Sequence, residues 1–312
     1  MSDLFVAPFS AGYMQRAGIQ LVLLGVLSGF LGVHVLLRKA AFVTEVVQHT
    51  VFPGLAIAFA FGQSLLAGAL CSGLVSIFAL SFVSGGKGER RIAMDSVMAV
   101  LLTTFFAGGV LVVSRQGGYQ SDLSSLLFGR ILAVDTNQIR DTLVIATLCL
   151  VAMAGLHKEL VLRAFDPLAA AALGYRLRSL DLVLNVMITL TVVAAVRAVG
   201  TVLVVAFLVT PAATARLLVR SVPRMMVCSA VFAVVGGLGG LLLSYHGSVT
   251  YGWRLASGAT VVFLFTLMFL VVWIVVTIKA ARQSLLAHAR DVGLGASLQE
   301  RSMANGASRL RP

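Results

Sequence analysis

Nine apolar runs dominate the sequence, and they decide its fold class. A run of about 20 apolar residues is long enough to cross the hydrocarbon core of a bilayer as an α-helix. Only 12% of the 312 residues are charged, about half the usual fraction in soluble domains. The sequence therefore predicts an all-α, polytopic membrane helical bundle. The runs cover residues 17–37, 42–62, 64–84, 92–113, 138–157, 179–197, 199–217, 224–244 and 255–279.

The number of spans is eight or nine, depending on whether one apolar run is broken or re-entrant. Basic residues lie between the runs and in the C-terminal tail, and the positive-inside rule places such segments in the cytoplasm. Nine spans then put the N terminus outside, and eight put it inside. This topology accounts for the net charge of +12 without a nucleic-acid partner. The first ten residues lack the basic start of a signal peptide, which predicts no cleaved leader.

One domain, residues 1–282, is expected to contain all the spans and to be surrounded by membrane lipid. The tail, residues 283–312, is rich in Gly, Ser and Arg, which predicts disorder. Small residues recur inside the spans, as in GVLSGFLG at 25–32, and allow helices in lipid to approach closely. The three cysteines have no metal-ligand spacing, so we interpret them as packing residues.

Glu45 and His49 are an ionisable pair inside an apolar run. Residues four apart share one face of a helix, and ionisable groups within the membrane are candidates for function because they are costly there. A carboxylate beside an imidazole suits Zn²⁺, Mn²⁺ or Fe²⁺. Two ligands hold such an ion weakly, as a translocation path requires. The residues alone leave an alternative open, a hydrogen-bonded Glu–His pair that only connects helices. His34, near the end of the first run, is interpreted as a packed or interfacial histidine.

Pro53 and Gly54 follow the pair and predict a break or kink in the helix. Carbonyl groups exposed by such a break could line a cavity beside the ion path.

The stretch 157–181 is too polar at its ends to span the membrane, and we predict a cytoplasmic loop with a short helix. Asp166 suits the N-cap and Pro167 the first turn. The run LAAAAL favours a helix, and Gly174 suits its C-terminal end. Such a helix is typical of a docking element for a soluble partner.

Signatures of catalysis are missing from the sequence. GGKGERR at 85–91 lacks the spacing and the Ser or Thr of a Walker A loop, and there is no HExxH or GxSxG motif. We predict that the chain is not an enzyme and has no ATP site of its own.

Several stretches, taken in order, resemble the membrane permease subunit of bacterial ABC importers for zinc, manganese or iron, the ABC-3 family. Together they extend the resemblance from about residue 7 to residue 275. The stretches are PFSAGYMQRA, LLRKAAFVTEVVQHTVFPG, SDLSSLLFGRILAV, FDPLAAAALG and RAVGTVLVVAFLVTPAATARLL.

The resemblance implies a multi-pass protein of the bacterial inner membrane that carries metal as transported substrate and holds no stable cofactor. It implies a second permease subunit, identical or a paralogue, a cytoplasmic ATPase that binds the ATP, and an extracytoplasmic metal-binding protein. The family's Asp and His of the metal path fall on Glu45 and His49, with Glu in place of Asp. The family's coupling helix, which docks on the ATPase, falls on FDPLAAAALG; the positions that carry this role are Asp166, Pro167, Ala170 and Gly174.

Two other functions compete with the importer subunit. A stand-alone secondary metal transporter or channel predicts more titratable residues within the spans and inverted repeats, which we do not find. The other competing function is that of a non-transporting scaffold or an intramembrane enzyme. The sequence shows no nucleophile–base arrangement for it.

Overall fold

The computed structural model describes residues 8–84, 94–114, 129, 131–252 and 256–308, with side chains described as far as residue 283. GGKGERR and most of SDLSSLLFGRILAV lie outside these residues. The described chain is helical and contains no strand. Its long helices are α1 (Gly12–Leu37), α2 (Ala41–Ala60), α3 (Leu65–Ser84), α4 (Met94–Ser114), α5 (Thr136–Gly155), α8 (Leu177–Val199), α9 (Thr201–Leu218), α10 (Val222–Tyr251) and α11 (Ser257–Ser308). Two short helices, α6 (His157–Phe165) and α7 (Pro167–Ala172), lie between α5 and α8, and 3-10 turns occur at Pro8–Ser10 and Ile131–Ala133.

Eight described helices are long and apolar enough to cross a membrane: α1 to α5, α8, α10 and the first half of α11. The apolar part of α9, Leu203–Leu218, is shorter than the others. The run at 199–217 forms α9, whose 18 residues make it the shortest of the long helices.

Helix α1 is central to the bundle and packs mainly against α10, α9 and α5. Its small residues lie where neighbouring backbones come closest: a Cβ on Gly29 would be 2.4 Å from Ala230 Cα, and one on Gly32 would be 2.0 Å from the Leu208 carbonyl oxygen. The predicted role of small residues in close helix packing is confirmed at these positions.

Helix α2, which carries the ionisable pair, packs mainly against α3 and α4, and also against α8 and α9. The turn from α1 to α2 places Lys39 at φ 53°, a left-handed conformation that is uncommon outside glycine. Hydroxyl groups connect α2 to α3: Thr50 Oγ1 lies 2.8 Å from Ser76 Oγ, and Ser72 Oγ donates to the Thr50 carbonyl oxygen. Such bonds strengthen helix association where apolar burial contributes little.

The chain divides into two compact units, Met1–Phe269 and Leu270–Pro312. The first contains the packed bundle. In the second, the described residues continue α11 to Ser308, where the sequence predicted a disordered tail from residue 283. The disorder of this tail stays a prediction.

Candidate functional site

Glu45 and His49 lie on one face of α2, as their spacing predicts. Glu45 Oε1 and His49 Nε2 are 3.3 Å apart. The side chains are 38% and 26% exposed, respectively, so the pair is accessible from outside the single chain. Both side chains can therefore bind groups that do not belong to this chain.

Helix α4 provides the aromatic wall beside the pair. The ring of Phe106 meets the ring of His49 edge to face, with centroids 5.7 Å apart. Phe106 also packs against Phe52, one turn further along α2. These contacts fix the plane of the imidazole and leave its edge directed towards Glu45.

A complete metal cage is not present in the part of the chain that the structure describes. No three His, Cys, Asp or Glu side chains among those residues come close enough together to hold an ion. The pair thus offers one oxygen and one nitrogen ligand, a combination that Mn²⁺, Fe²⁺ and Zn²⁺ accept. Further ligands would come from water or from another subunit.

Of the break or kink predicted at Pro53 and Gly54, the break is not present, because α2 continues through both residues to Ala60. Proline is tolerated inside membrane helices when their surroundings satisfy the backbone nearby. The carbonyl that Pro53 leaves without its amide donor is that of His49, and the Ser72 hydroxyl of α3 donates at the next carbonyl, that of Thr50. Gly54 serves helix packing, since a Cβ there would lie 2.1 Å from the carbonyl oxygen of Gly68.

A cavity of about 850 Å³ opens beside Pro53 and Gly54, between α2, α3 and α4. Its walls are apolar, with Ile57, Phe61 and Phe105 among them, and the described residues that line it include no Asp, Glu, His, Lys or Arg. A cavity of this character suits apolar groups, so it gives no support to the predicted ion path along exposed carbonyls.

The short helix predicted after Asp166 is confirmed as a structural element, α7. The Asp166 side chain accepts a hydrogen bond from the Ala169 amide at 2.9 Å, and Pro167 opens the helix. Ala170 is fully buried. Gly174 ends the turn with φ +86°, a conformation that glycine adopts without strain. The role of this helix in docking an ATPase stays a prediction.

Ion pairs between distant helices are the polar features that the sequence did not reveal. Asp181, at the start of α8, accepts from both Arg38 and Arg163. Arg197, near the end of α8, pairs with Asp141 of α5 at 3.1 Å. Up to 143 residues separate the partners. The only feature of the sequence that could have pointed to these ion pairs is the scarcity of acidic residues in so basic a chain.

His34 is buried in α1 and is not brought to the Glu45–His49 pair. Neither ring nitrogen has a hydrogen-bond partner among the described residues, and the ring meets that of His157 edge on, with centroids 5.8 Å apart. This burial agrees with the packed role that the sequence predicts.

Comparison with known proteins identifies the relatives of this chain. It is 34% identical over 263 residues to the manganese transport system membrane protein MntC of Listeria innocua, covering 84% of this chain and 90% of the relative. It is 31% identical over 285 residues to the chelated iron transport system membrane protein YfeD of Yersinia pestis, covering 91% and 93%. Both relatives are named as membrane proteins of metal transport systems.

A solved structure agrees with the described fold. PsaBC from Streptococcus pneumoniae, determined in complex with Fab, matches with a TM-score of 0.76 and 29% identity, covering 88% of this chain and 95% of that one. The prediction of an all-α, multi-pass protein of the bacterial inner membrane is confirmed. The model of the ABC 3 transport family matches residues 10–276. The chain therefore belongs to the ABC 3 transport family.

Proposed function

We propose that this chain is the permease subunit of an ATP-driven importer that moves a divalent transition-metal ion, Mn²⁺, Zn²⁺ or Fe²⁺, into the cytoplasm. The Glu45–His49 pair is the observation that carries the proposal. It is an accessible carboxylate–imidazole pair on an apolar spanning helix, where an ionisable pair without a task would be costly.

The relatives direct attention to manganese first. The Listeria innocua relative is named for manganese transport and the Yersinia pestis relative for chelated iron transport. A carboxylate oxygen favours Mn²⁺, while an imidazole also accepts Fe²⁺ and Zn²⁺. With two ligands from the chain, the ion keeps open coordination positions and can leave again.

A second permease subunit would complete the path. Glu45 and His49 are partly exposed in the single chain, and their aromatic neighbour Phe106 lies on α4. Ligands from an identical or paralogous subunit opposite this surface would enclose the ion without any change in α2.

Helix α7 would dock on a cytoplasmic ATPase, which would bind the ATP. Its side chain Leu168 is 82% exposed, and Phe165 and Leu173 on either side are also exposed. Apolar side chains exposed together at a polar end of a bundle are typical of an interaction site. An extracytoplasmic metal-binding protein would deliver the ion at the opposite end.

Uptake measurements test the proposal directly. Cells that produce the chain with its ATPase partner are assayed for Mn²⁺, Zn²⁺ and Fe²⁺ accumulation, using wild type, Glu45→Gln and His49→Ala. Asp95→Asn is the matched control, because it removes an exposed carboxylate at the start of α4. We expect both pair variants to assemble and to lose uptake of one metal, with the control unaffected.

Normal uptake by both pair variants would show that the pair is structural. Full uptake by the chain without any ATPase would instead favour a stand-alone secondary transporter or channel.

A further inference from the structure

A shared carboxylate joins the segment before α7 to the bundle. Asp181 of α8 binds two arginines with its two oxygens: Oδ1 accepts from Arg38, at the end of α1, and Oδ2 accepts from Arg163 of α6 at 3.0 Å. All three side chains are more than half buried. The position of α6 relative to α1 and α8 is therefore fixed in part by one charge.

Arg163 has a second acid within reach on its own helix. Glu159 precedes it by four residues, with the acid on the N-terminal side, the favourable order for a pair on a helix. Within the described part of the chain, Oε2 of Glu159 is buried and has no hydrogen-bond partner, and Nε of Arg163 is likewise buried and without one. A buried polar atom without a partner calls for an explanation, and an alternative ion pair provides one.

We propose that Arg163 exchanges between Asp181 and Glu159, and that the two pairings favour two positions of α6 and α7 relative to α8. Arg163 lies three residues before Asp166, the N-cap of α7, and α7 packs mainly against α6 and α8. A movement of α7 would therefore also displace Arg163. Arg38 stays on Asp181 in both states, so Asp181 is never left without a cation.

In transport, these residues act as positioning residues. The inference rests on the proposed function for that role alone: a partner that pushes on α7 would change which acid Arg163 holds. Asp181 would then release α6 while keeping α1 and α8 together through Arg38. The exchange gives the segment two defined positions in place of a continuous range.

Pulsed electron paramagnetic resonance on the full chain in lipid nanodiscs tests the exchange. Spin labels are placed at exposed positions of α7 (Ala171→Cys) and α10 (Val227→Cys), with the three native cysteines replaced by alanine. Asp181→Asn should raise the population of a second distance about fivefold, since it weakens the charge-assisted bond to Arg163, as well as that to Arg38. Adding Glu159→Gln to Asp181→Asn should return the distribution towards that of wild type. Lys158→Gln, an exposed charge on the same helix, should change nothing.

A second distance that persists in the double variant would overturn the proposal, as would identical distributions in all variants. If Asp181→Asn does not fold, Glu159→Gln alone decides in proteoliposomes with the ATPase partner. It should lower Mn²⁺ uptake and ATP hydrolysis together, and unchanged rates of both would overturn the proposal. The distance measurement needs neither metal nor ATPase, so its result is independent of whether the proposed function holds.

Discussion

Replacing Gly54 by alanine should loosen the contact that holds α2 against α3. The added Cβ would lie 2.1 Å from the Gly68 carbonyl oxygen and 2.5 Å from Ser72 Cβ, whereas ordinary contact begins at 3.4 Å. The two backbones must therefore separate locally by about 1.3 Å. Because the obstacle is backbone and not the end of a flexible side chain, it cannot move aside alone.

The magnitude follows from two opposing terms. Overpacking of a well-filled interior costs about 1 to 3 kcal/mol, and a backbone obstacle places Gly54→Ala near the upper end. Replacing a glycine by alanine in the interior of a helix stabilises the fold by up to about 1 kcal/mol. The net loss is about 2 kcal/mol, which lowers the melting temperature by about 5 °C for a chain of this size.

Thermal unfolding of the purified chain in nanodiscs measures this shift. Gly108→Ala is the matched control: it lies on α4 at the same cavity, and a Cβ there meets nothing within 4 Å. It should unfold at or slightly above the temperature of wild type. If Gly54→Ala unfolds at the temperature of Gly108→Ala, the backbones of α2 and α3 do not approach each other closely at Gly54.

Three further predictions concern the ion pairs and α7. Asp141→Ala leaves Arg197 with no carboxylate partner and should cost about 2 kcal/mol, measured by thermal unfolding; the double variant with Arg197→Ala should recover part of the loss, and no recovery would contradict the pairing. Asp166→Ala removes the cap on the Ala169 amide and should destabilise α7 by about 1 kcal/mol, seen as faster hydrogen exchange at that amide; unchanged exchange would argue against the cap. Leu168→Asp should weaken co-purification with the ATPase partner at least tenfold while the chain still folds, and undiminished co-purification would count against docking through α7.

The helical membrane bundle, the pairing of Glu45 with His49 and the short helix after Asp166 could be predicted because each depends on local sequence. Apolar run length sets the spans, a spacing of four residues sets the shared face, and an Asp-Pro pair starts a helix. None of these needs knowledge of which helices are neighbours.

The continuity of α2 at Pro53 and the double pairing of Asp181 could not be predicted in the same way. Whether a proline breaks a membrane helix depends on what the adjacent helix offers, here Gly68 and Ser72 of α3. Asp181 finds Arg38 across 143 residues of sequence, so the partner follows only from the tertiary arrangement.

The glycines of α1 have a consequence for how the molecule can move. A helix held at backbone distance from its neighbours cannot turn about its axis, because rotation would carry leucine side chains into positions that admit only a hydrogen atom. Gly29 and Gly32 meet α10 and α9 in this way. We therefore expect α1, α9 and α10 to move as one rigid group. Any opening of the bundle would then be a displacement of the remaining helices relative to these three.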